Sequence, residues 1–243
     1  MKKLIVILIL SISLLSVNTA WSKDSKDDFT IDVGISAWMP SISYSPTPAN
    51  ITYTSSTLVG PKVDIEFDRF FLGLKYLFPF TGFNANVTPT ASTSLKTSWL
   101  SLLLGYMVTQ NIGIYASYID NSSTLNVDLG GSSISQTHSI AGPGLGVIAC
   151  LPIGKKGLSF YLNGSYSFGS YKDTGLPKSP YTTNVIDVEA GLGYKFLKET
   201  LQANLGWRYQ DNSITGMTFN GITTSGIAFS GPFANVTYLF KPY

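Results

Sequence analysis

From residue 29 to residue 240, apolar side chains recur at every second position over most of the chain, and helical spacing is scarce. Period two is the geometry of a strand, whose successive side chains leave opposite faces. Residues 29–39 place Phe29, Ile31, Val33, Ile35, Ala37 and Met39 on one face, with Thr30, Asp32, Gly34, Ser36 and Trp38 on the other. The pattern returns at residues 70–78, 100–108, 112–118, 145–151, 158–168, 186–196, 201–209 and 234–240. A chain patterned this way folds as antiparallel strands; its fold class then depends on what each face meets.

Connections alternate in length. Those at 109–111, 152–157 and 197–200 are tight, while those near 128–134, 172–182 and 211–225 are longer and rich in Ser, Thr, Gly and Asn. Hairpins with tight turns at one end and long loops at the other describe a meander. Seven strands lie between residue 95 and the C-terminus, and strand 29–39 stands alone before them. Termini on one side then require an even number of strands from residues 40–94. The run 63–78 is strand-like, and Phe83, Ala85 and Val87 offer a weak return, which gives ten strands. Eight is the alternative, with 40–94 as one long loop. Residues 40–60, with Pro46 and Pro48, read as an external loop.

A soluble sandwich needs a wet face rich in Lys and Glu. Here the face opposite the apolar one is mostly Gly, Ser, Thr, Asn and Tyr, and only 12% of all residues are charged, against about 25% in an average soluble domain. Aromatic residues are also placed by height. Tyr76, Phe78, Tyr106, Tyr194, Phe196, Tyr238 and Phe240 end the strands read as running toward the tight turns, and Tyr118, Tyr166, Phe168, Trp207 and Tyr209 lie near the far ends of the others. Two aromatic rings around an aliphatic band are the signature of a lipid-facing girdle. Glycines 34, 73, 105, 113, 144, 146, 191, 193 and 206 fall on the inward face, where they ease crowding inside a closed sheet. The sequence therefore predicts an all-β fold: a closed, antiparallel, up-and-down transmembrane β-barrel, in which every backbone group is paired as the bilayer interior demands.

The N-terminus carries an address. Met1-Lys2-Lys3 precedes a short apolar run at 4–17, and Ala20-Trp21-Ser22 supplies small residues for cleavage. The run is shorter than the roughly 20 residues of a membrane span, so residues 1–22 read as a signal peptide and 23–243 as the barrel. Lys2 and Lys3 leave with it, so 14 of the 16 basic residues remain against 14 acidic ones. A neutral chain lacks the basic excess of a nucleic-acid binder. Cys150 is the lone cysteine, which excludes intramolecular disulfides and cysteine zinc sites. No cysteine follows the apolar run, which excludes a lipoprotein anchor.

The Gly105-Tyr106 and Gly193-Tyr194 strand ends, the terminal Tyr238-x-Phe240, the signal segment and the alternation of turns and loops resemble small bacterial outer-membrane β-barrel proteins. The resemblance is architectural and spans nearly all of 28–240. It implies periplasmic tight turns, outward long loops, residence in the outer membrane against lipid and lipopolysaccharide, and a monomer with no cofactor. It also implies a terminal aromatic residue read by the barrel-assembly machinery. Here Lys241-Pro242-Tyr243 is added, so Phe240 or Tyr243 takes that role.

Asp32, Lys75, Asp187, Glu189, Lys195 and Arg208 point inward by phase. With the 197–200 turn centred on Lys198-Glu199, paired positions sum to 397, and Glu189 faces Arg208. This network reads either as a structural plug or as a charged constriction in a solute path. His138 is the lone histidine; Ser135, Ser139, Asp120 and Asp128 are candidate partners near the outer rim, but no enzyme motif is matched and the favoured reading is a polar histidine on a loop shoulder. Asp64, Glu66 and Asp68 share one face at a loop edge, as a solvated run or a cation site. Cys150 reads as a small inward filler. The expectation is a narrow channel or carrier for small solutes, without catalytic or metal-binding residues. The other reading is a non-transporting surface or anchoring barrel with partner-binding loops, and the third is an enzyme centred on His138.

Overall fold

The computed structural model describes residues 29–45, 53–88, 91–128, 131–154, 157–175, 180–197, 200–216, 218–219, 222–223 and 226–240. The expected signal peptide, the 241–243 tail, and Pro46 and Pro48 lie outside these residues. Ten strands form the ring. They are β1 (Phe29–Trp38), β2 (Leu58–Phe67), β3 (Phe70–Pro79), β4 (Ala91–Met107), β5 (Ile112–Asp128), β6 (Ser133–Ile153), β7 (Leu158–Asp173), β8 (Tyr181–Phe196), β9 (Leu201–Thr215) and β10 (Gly226–Phe240). Each pairs antiparallel with its neighbours in chain order, and β1 closes on β10 from Ile31 opposite Phe240 to Trp38 opposite Phe233. Strand Ser41–Ser45 extends the ring above β1 by pairing with β10.

The count of ten holds, but two details of residues 40–94 differ from the sequence expectation. Both barrel strands come from 58–79, joined by a tight turn at Asp68-Arg69 in which Asp68 adopts a φ of 52°. The expected return strand does form, as Phe83–Thr88, but it lies off the ring and pairs with the outer extension of β4. Strand β2 is hard to see in sequence because Pro61 interrupts its outward positions and Lys62, Asp64 and Glu66 occupy its inward ones. Its outward side still pairs Val63 with Val33 and Ile65 with Ile31.

The extra strand reverses the direction of β3, which runs away from the tight turns. Tyr76 and Phe78 therefore belong to the outer aromatic ring, alongside Tyr118, Tyr166, Phe168, Trp207 and Tyr209. Phe67 and Phe70 take their place in the inner ring with Tyr106, Tyr194, Phe196, Tyr238 and Phe240, and Phe70 sits directly opposite Tyr106. Between the rings lies an exposed aliphatic belt, including Ile35 (62% exposed), Leu145 (67%) and Leu205 (65%). A continuous belt of that exposure requires an apolar solvent.

The outer edge of the belt is sharp. Beyond Tyr118 the outward positions of β5 are Asp120, Ser122, Thr124, Asn126 and Asp128, paired with Ala141, Ser139, Thr137, Ser135 and Ser133 of β6. A membrane strand needs about 9–11 residues, whereas β5 has 17 and β6 has 21. The excess stands above the bilayer as a polar hairpin.

Inward glycines make room for large side chains from other strands. The Phe71 ring lies over Gly105, and the Tyr115 ring lies over Gly146, where a Cβ would collide with each ring. Overpacking of this kind costs about 1–3 kcal/mol. Gly105→Val and Gly146→Val should each lower the temperature at which the folded band is lost in heat-modifiability electrophoresis. Gly131→Val, in open space, should leave that temperature unchanged.

Candidate functional site: the lumen and its outer rim

Charge fills the middle of the lumen. Lys75 on β3 reaches Glu189 on β8 with Nζ 2.5 Å from Oε1. These strands are five apart in either direction around the ring, so the contact crosses the full lumen. Glu189 lies directly opposite Arg208, as the sum of 397 requires. The stronger bond of Arg208 is diagonal, however: Nε and Nη2 donate to the two Asp187 oxygens at 3.0 and 2.6 Å, and Nε is 3.3 Å from Glu189 Oε1. Arg208, only 3% exposed, thus serves two carboxylates, and Glu189 serves two cations. The guanidinium carbon also sits 4.3 Å from the centroid of the Trp38 ring, a cation–π contact.

Of the six inward charges expected from sequence, Lys75, Asp187, Glu189 and Arg208 form this network. Asp32 lies nearer the tight turns, opposite Asp64, and Lys195 is exposed beside the 197–200 turn. Asp64 and Glu66 are not at a loop edge but on the inward face of β2. There Asp64 pairs with Lys62 at 2.5 Å, a bridge the sequence reading missed. Cys150 shares the inward face with its partner Tyr161 but is exposed near the tight turns, so it is no core filler.

Above the charges, the lumen is apolar. Trp38, Leu58, Leu77, Phe83, Leu95, Trp99, Phe229 and Phe233 form one buried cluster. Trp99 meets Trp38 at a ring separation of 5.1 Å and Phe229 at 4.9 Å, joining β4 to β1 and β10. Below the charges, Tyr115 donates to Asn163 Oδ1 at 2.5 Å. The apolar plug escaped sequence reading because its members occupy the alternating positions that elsewhere hold Gly, Ser and Asn.

His138 sits at the outer rim, facing inward. Its expected partners Ser135, Ser139, Asp120 and Asp128 are on the outward face of the same hairpin and cannot meet it. Register instead sets Thr97, Ser123, His138 and Asp173 in one row across β4, β5, β6 and β7. Asp173 Oδ2 is 3.4 Å from His138 Nδ1. Asp173 also accepts bonds from Gln136 Nε2 (2.7 Å), the Gly175 amide (2.8 Å) and Tyr171 Oη (3.0 Å). The Tyr171 ring stacks near the imidazole at 6.2 Å and 16°, and the Thr97 and Ser123 hydroxyls are 2.9 Å apart. Beside the row is a cavity of about 30 Å³ whose lining includes Trp99, Asn121, Ser123, His138, Ile140 and Phe229. The signal in the sequence was the β6–β7 register, which pairs residue 138 with residue 173 across the Ile153–Leu158 turn.

This architecture has solved counterparts. The outer membrane protease OmpT from Escherichia coli aligns over 91% of this chain and 99% of its own, with a TM-score of 0.56 at 13% identity. The fold is that of the bacterial outer-membrane β-barrels. Further alignments, at lower scores, include Ail, the attachment invasion locus protein of Yersinia pestis (TM-score 0.40, 9% identity, 89% of this chain and 100% of that one). The P. putida toluene transporter TodX aligns at a TM-score of 0.33 and 11% identity, over 90% of this chain and 91% of its own. No family model matches the sequence, and no curated protein matches it.

Removing one partner of a buried ion pair costs about 3–5 kcal/mol, because the other charge is left uncompensated. Arg208→Met takes from Asp187 its two-bond partner and leaves Glu189 with Lys75 alone, and should destabilise the barrel by that amount in urea unfolding from micelles. Lys75→Met leaves Glu189 its Arg208 contact and should cost clearly less.

Proposed function

We propose that this outer-membrane barrel does not conduct, and that it serves to hold its outer hairpins as a binding face. The observation that carries this reading is the set of contacts across the lumen. The Lys75–Glu189 bridge spans the full diameter, and the tryptophan–phenylalanine cluster occupies the space above it. Solute transport needs an aqueous path, and polar groups lining such a path are wet. Here inward side chains at and above the charged layer are dry: Trp38 and Leu77 are each 1% exposed, Gln210 and Asn212 likewise 1%.

The same facts weigh against the expected narrow channel and favour the non-transporting reading. The hairpin of β5 and β6 supports the second half of the proposal. It rises beyond the lipid belt, and its outward face is Ser, Thr, Asn and Asp on both strands. Such a face serves polar contact with an external partner rather than contact with acyl chains.

Planar-bilayer recording of the purified barrel should show no steady conductance steps, and liposomes containing it should not swell in small sugars or amino acids. Reproducible ohmic steps from the wild-type protein, or swelling above protein-free liposomes, would contradict the reading.

A further inference from the structure

We propose that Ser123, His138 and Asp173 form a hydrolytic relay at the outer end of the lumen, acting on short-chain acyl esters. The three residues lie on adjacent strands at directly paired positions, Ser123 opposite His138 and His138 opposite Asp173. Directly opposed residues share a face and have Cβ atoms about 4.5–5.5 Å apart. All three side chains therefore lie side by side at one height inside the barrel, in the order nucleophile, base and orienting carboxylate. That order, not any particular fold, defines the acyl-transfer triad.

Asp173 and His138 are held as their roles require, while Ser123 Oγ lies 2.9 Å from Thr97 Oγ1 and turns from it to reach His138 Nε2 in the proposed relay. Gln136 Nε2 and the Gly175 amide hold Asp173 Oδ1, and Oδ2 accepts from Tyr171 Oη while facing His138 Nδ1 at 3.4 Å. A carboxylate in that position keeps the proton on Nδ1, so that Nε2 is the basic nitrogen. Tyr171 stacks against the imidazole and sets its plane.

A second, independent observation points to a ligand. Asn121, two residues before Ser123 on the same face of β5, is 5% exposed. Neither its Nδ2 nor its Oδ1 has a hydrogen-bond partner among the described residues. Buried amides are seldom left unpaired without a reason, and an amide N–H beside a nucleophile is a donor for a developing oxyanion. Asn121, Ser123 and His138 line the same cavity, which Trp99, Ile140, Ile227 and Phe229 make apolar on its other sides. The cavity is small, about 30 Å³, and a short acyl chain is the substrate class assigned to it on that ground.

The reaction balances with water as the co-reactant. Ser123 Oγ bonds to the ester carbonyl carbon while its proton passes to His138 Nε2, and the carbonyl electron pair moves to an oxyanion facing Asn121 Nδ2. Collapse of that intermediate breaks the bond to the alkoxide, which takes the proton from His138 and departs as the alcohol. Water then attacks the acyl-serine, giving its proton to His138. The acyl–Oγ bond breaks, Ser123 regains the proton, and a carboxylic acid leaves. Asp173 acts as a positioning residue throughout.

The test uses the full chain folded in detergent micelles, with p-nitrophenyl acetate as substrate and diisopropyl fluorophosphate as label. The expected result is one phosphoryl adduct, mapped to Ser123, and acetate-ester hydrolysis well above that of p-nitrophenyl palmitate. Ser123→Ala should lose the label and the turnover. Asn121→Ala should lower kcat by about 10²–10³ with KM little changed, as loss of an oxyanion donor does. Asp173→Asn should lower kcat while the folded band keeps its heat-modifiable mobility, which a merely structural role does not produce. An adduct absent or placed elsewhere on a folded wild-type barrel, or hydrolysis unchanged in Ser123→Ala, overturns the relay. These outcomes are independent of conductance, so this proposal and the non-conducting reading stand or fall separately.

Discussion

The seam between β1 and β10 is the constraint on which the rest of the molecule depends. Each backbone N–H and C=O facing hydrocarbon must find a partner, because an unpaired group there costs several kcal/mol. The seam supplies those partners over eight registered positions, from Ile31 opposite Phe240 to Trp38 opposite Phe233. Closure also sets parity. With the start of β1 and the end of β10 at one rim, the strand number is even and each strand direction is fixed, and with it the height of every aromatic residue on the strands.

Closure creates an interior that must then be filled. Eight strands leave a space that side chains just fill; ten leave more, and this chain fills it unequally. Large residues project from some strands over glycine on others, as Phe71 does over Gly105 and Tyr115 over Gly146. The remaining space holds charge, and charge out of water needs compensation. Arg208 meets it by binding Asp187 and Glu189 together, and Lys75 meets it from the opposite wall. The resulting bridge ties β3 to β8, strands that share no backbone hydrogen bonds. It crosses the lumen at mid-height, below the apolar cluster of Trp38, Trp99 and Phe229.

Much of this is legible in the sequence, for a physical reason. Lipid contact imposes apolar character on alternate residues, so phase, strand number and the inward charges of the strongly alternating strands can be read directly, whereas Lys62, Asp64 and Glu66 on the weakly patterned β2 are not. The Glu189–Arg208 pairing was also within reach, because a tight turn fixes register. Heights were less accessible. Tyr76 and Phe78 read as inner-ring residues because β2, with Pro61 and three inward charges, carries a weak apolar signal, and missing it reverses β3. The apolar plug of Trp38, Trp99 and Phe229 was hidden among inward positions, where large and small residues alternate without a period. The sequence neighbours of His138 lie on the other face of its hairpin, whereas Asp173 contacts it and Ser123 lies opposite it only through register across two strand pairs. Local pattern reports which face a residue takes; only the closed ring reports what it meets there.

The most direct test of this account is a cross-link at the seam. Ala37 and Ala234 are directly paired across β1 and β10, so Ala37→Cys with Ala234→Cys, in a Cys150→Ser background, brings two thiols within disulfide reach. Mild oxidation of the folded barrel should join them nearly completely within one chain, while Ala37→Cys with Val236→Cys, two residues out of register, should stay reduced. Failure of the registered pair to form, or efficient formation of the shifted pair, would contradict a ten-stranded ring closed at this register.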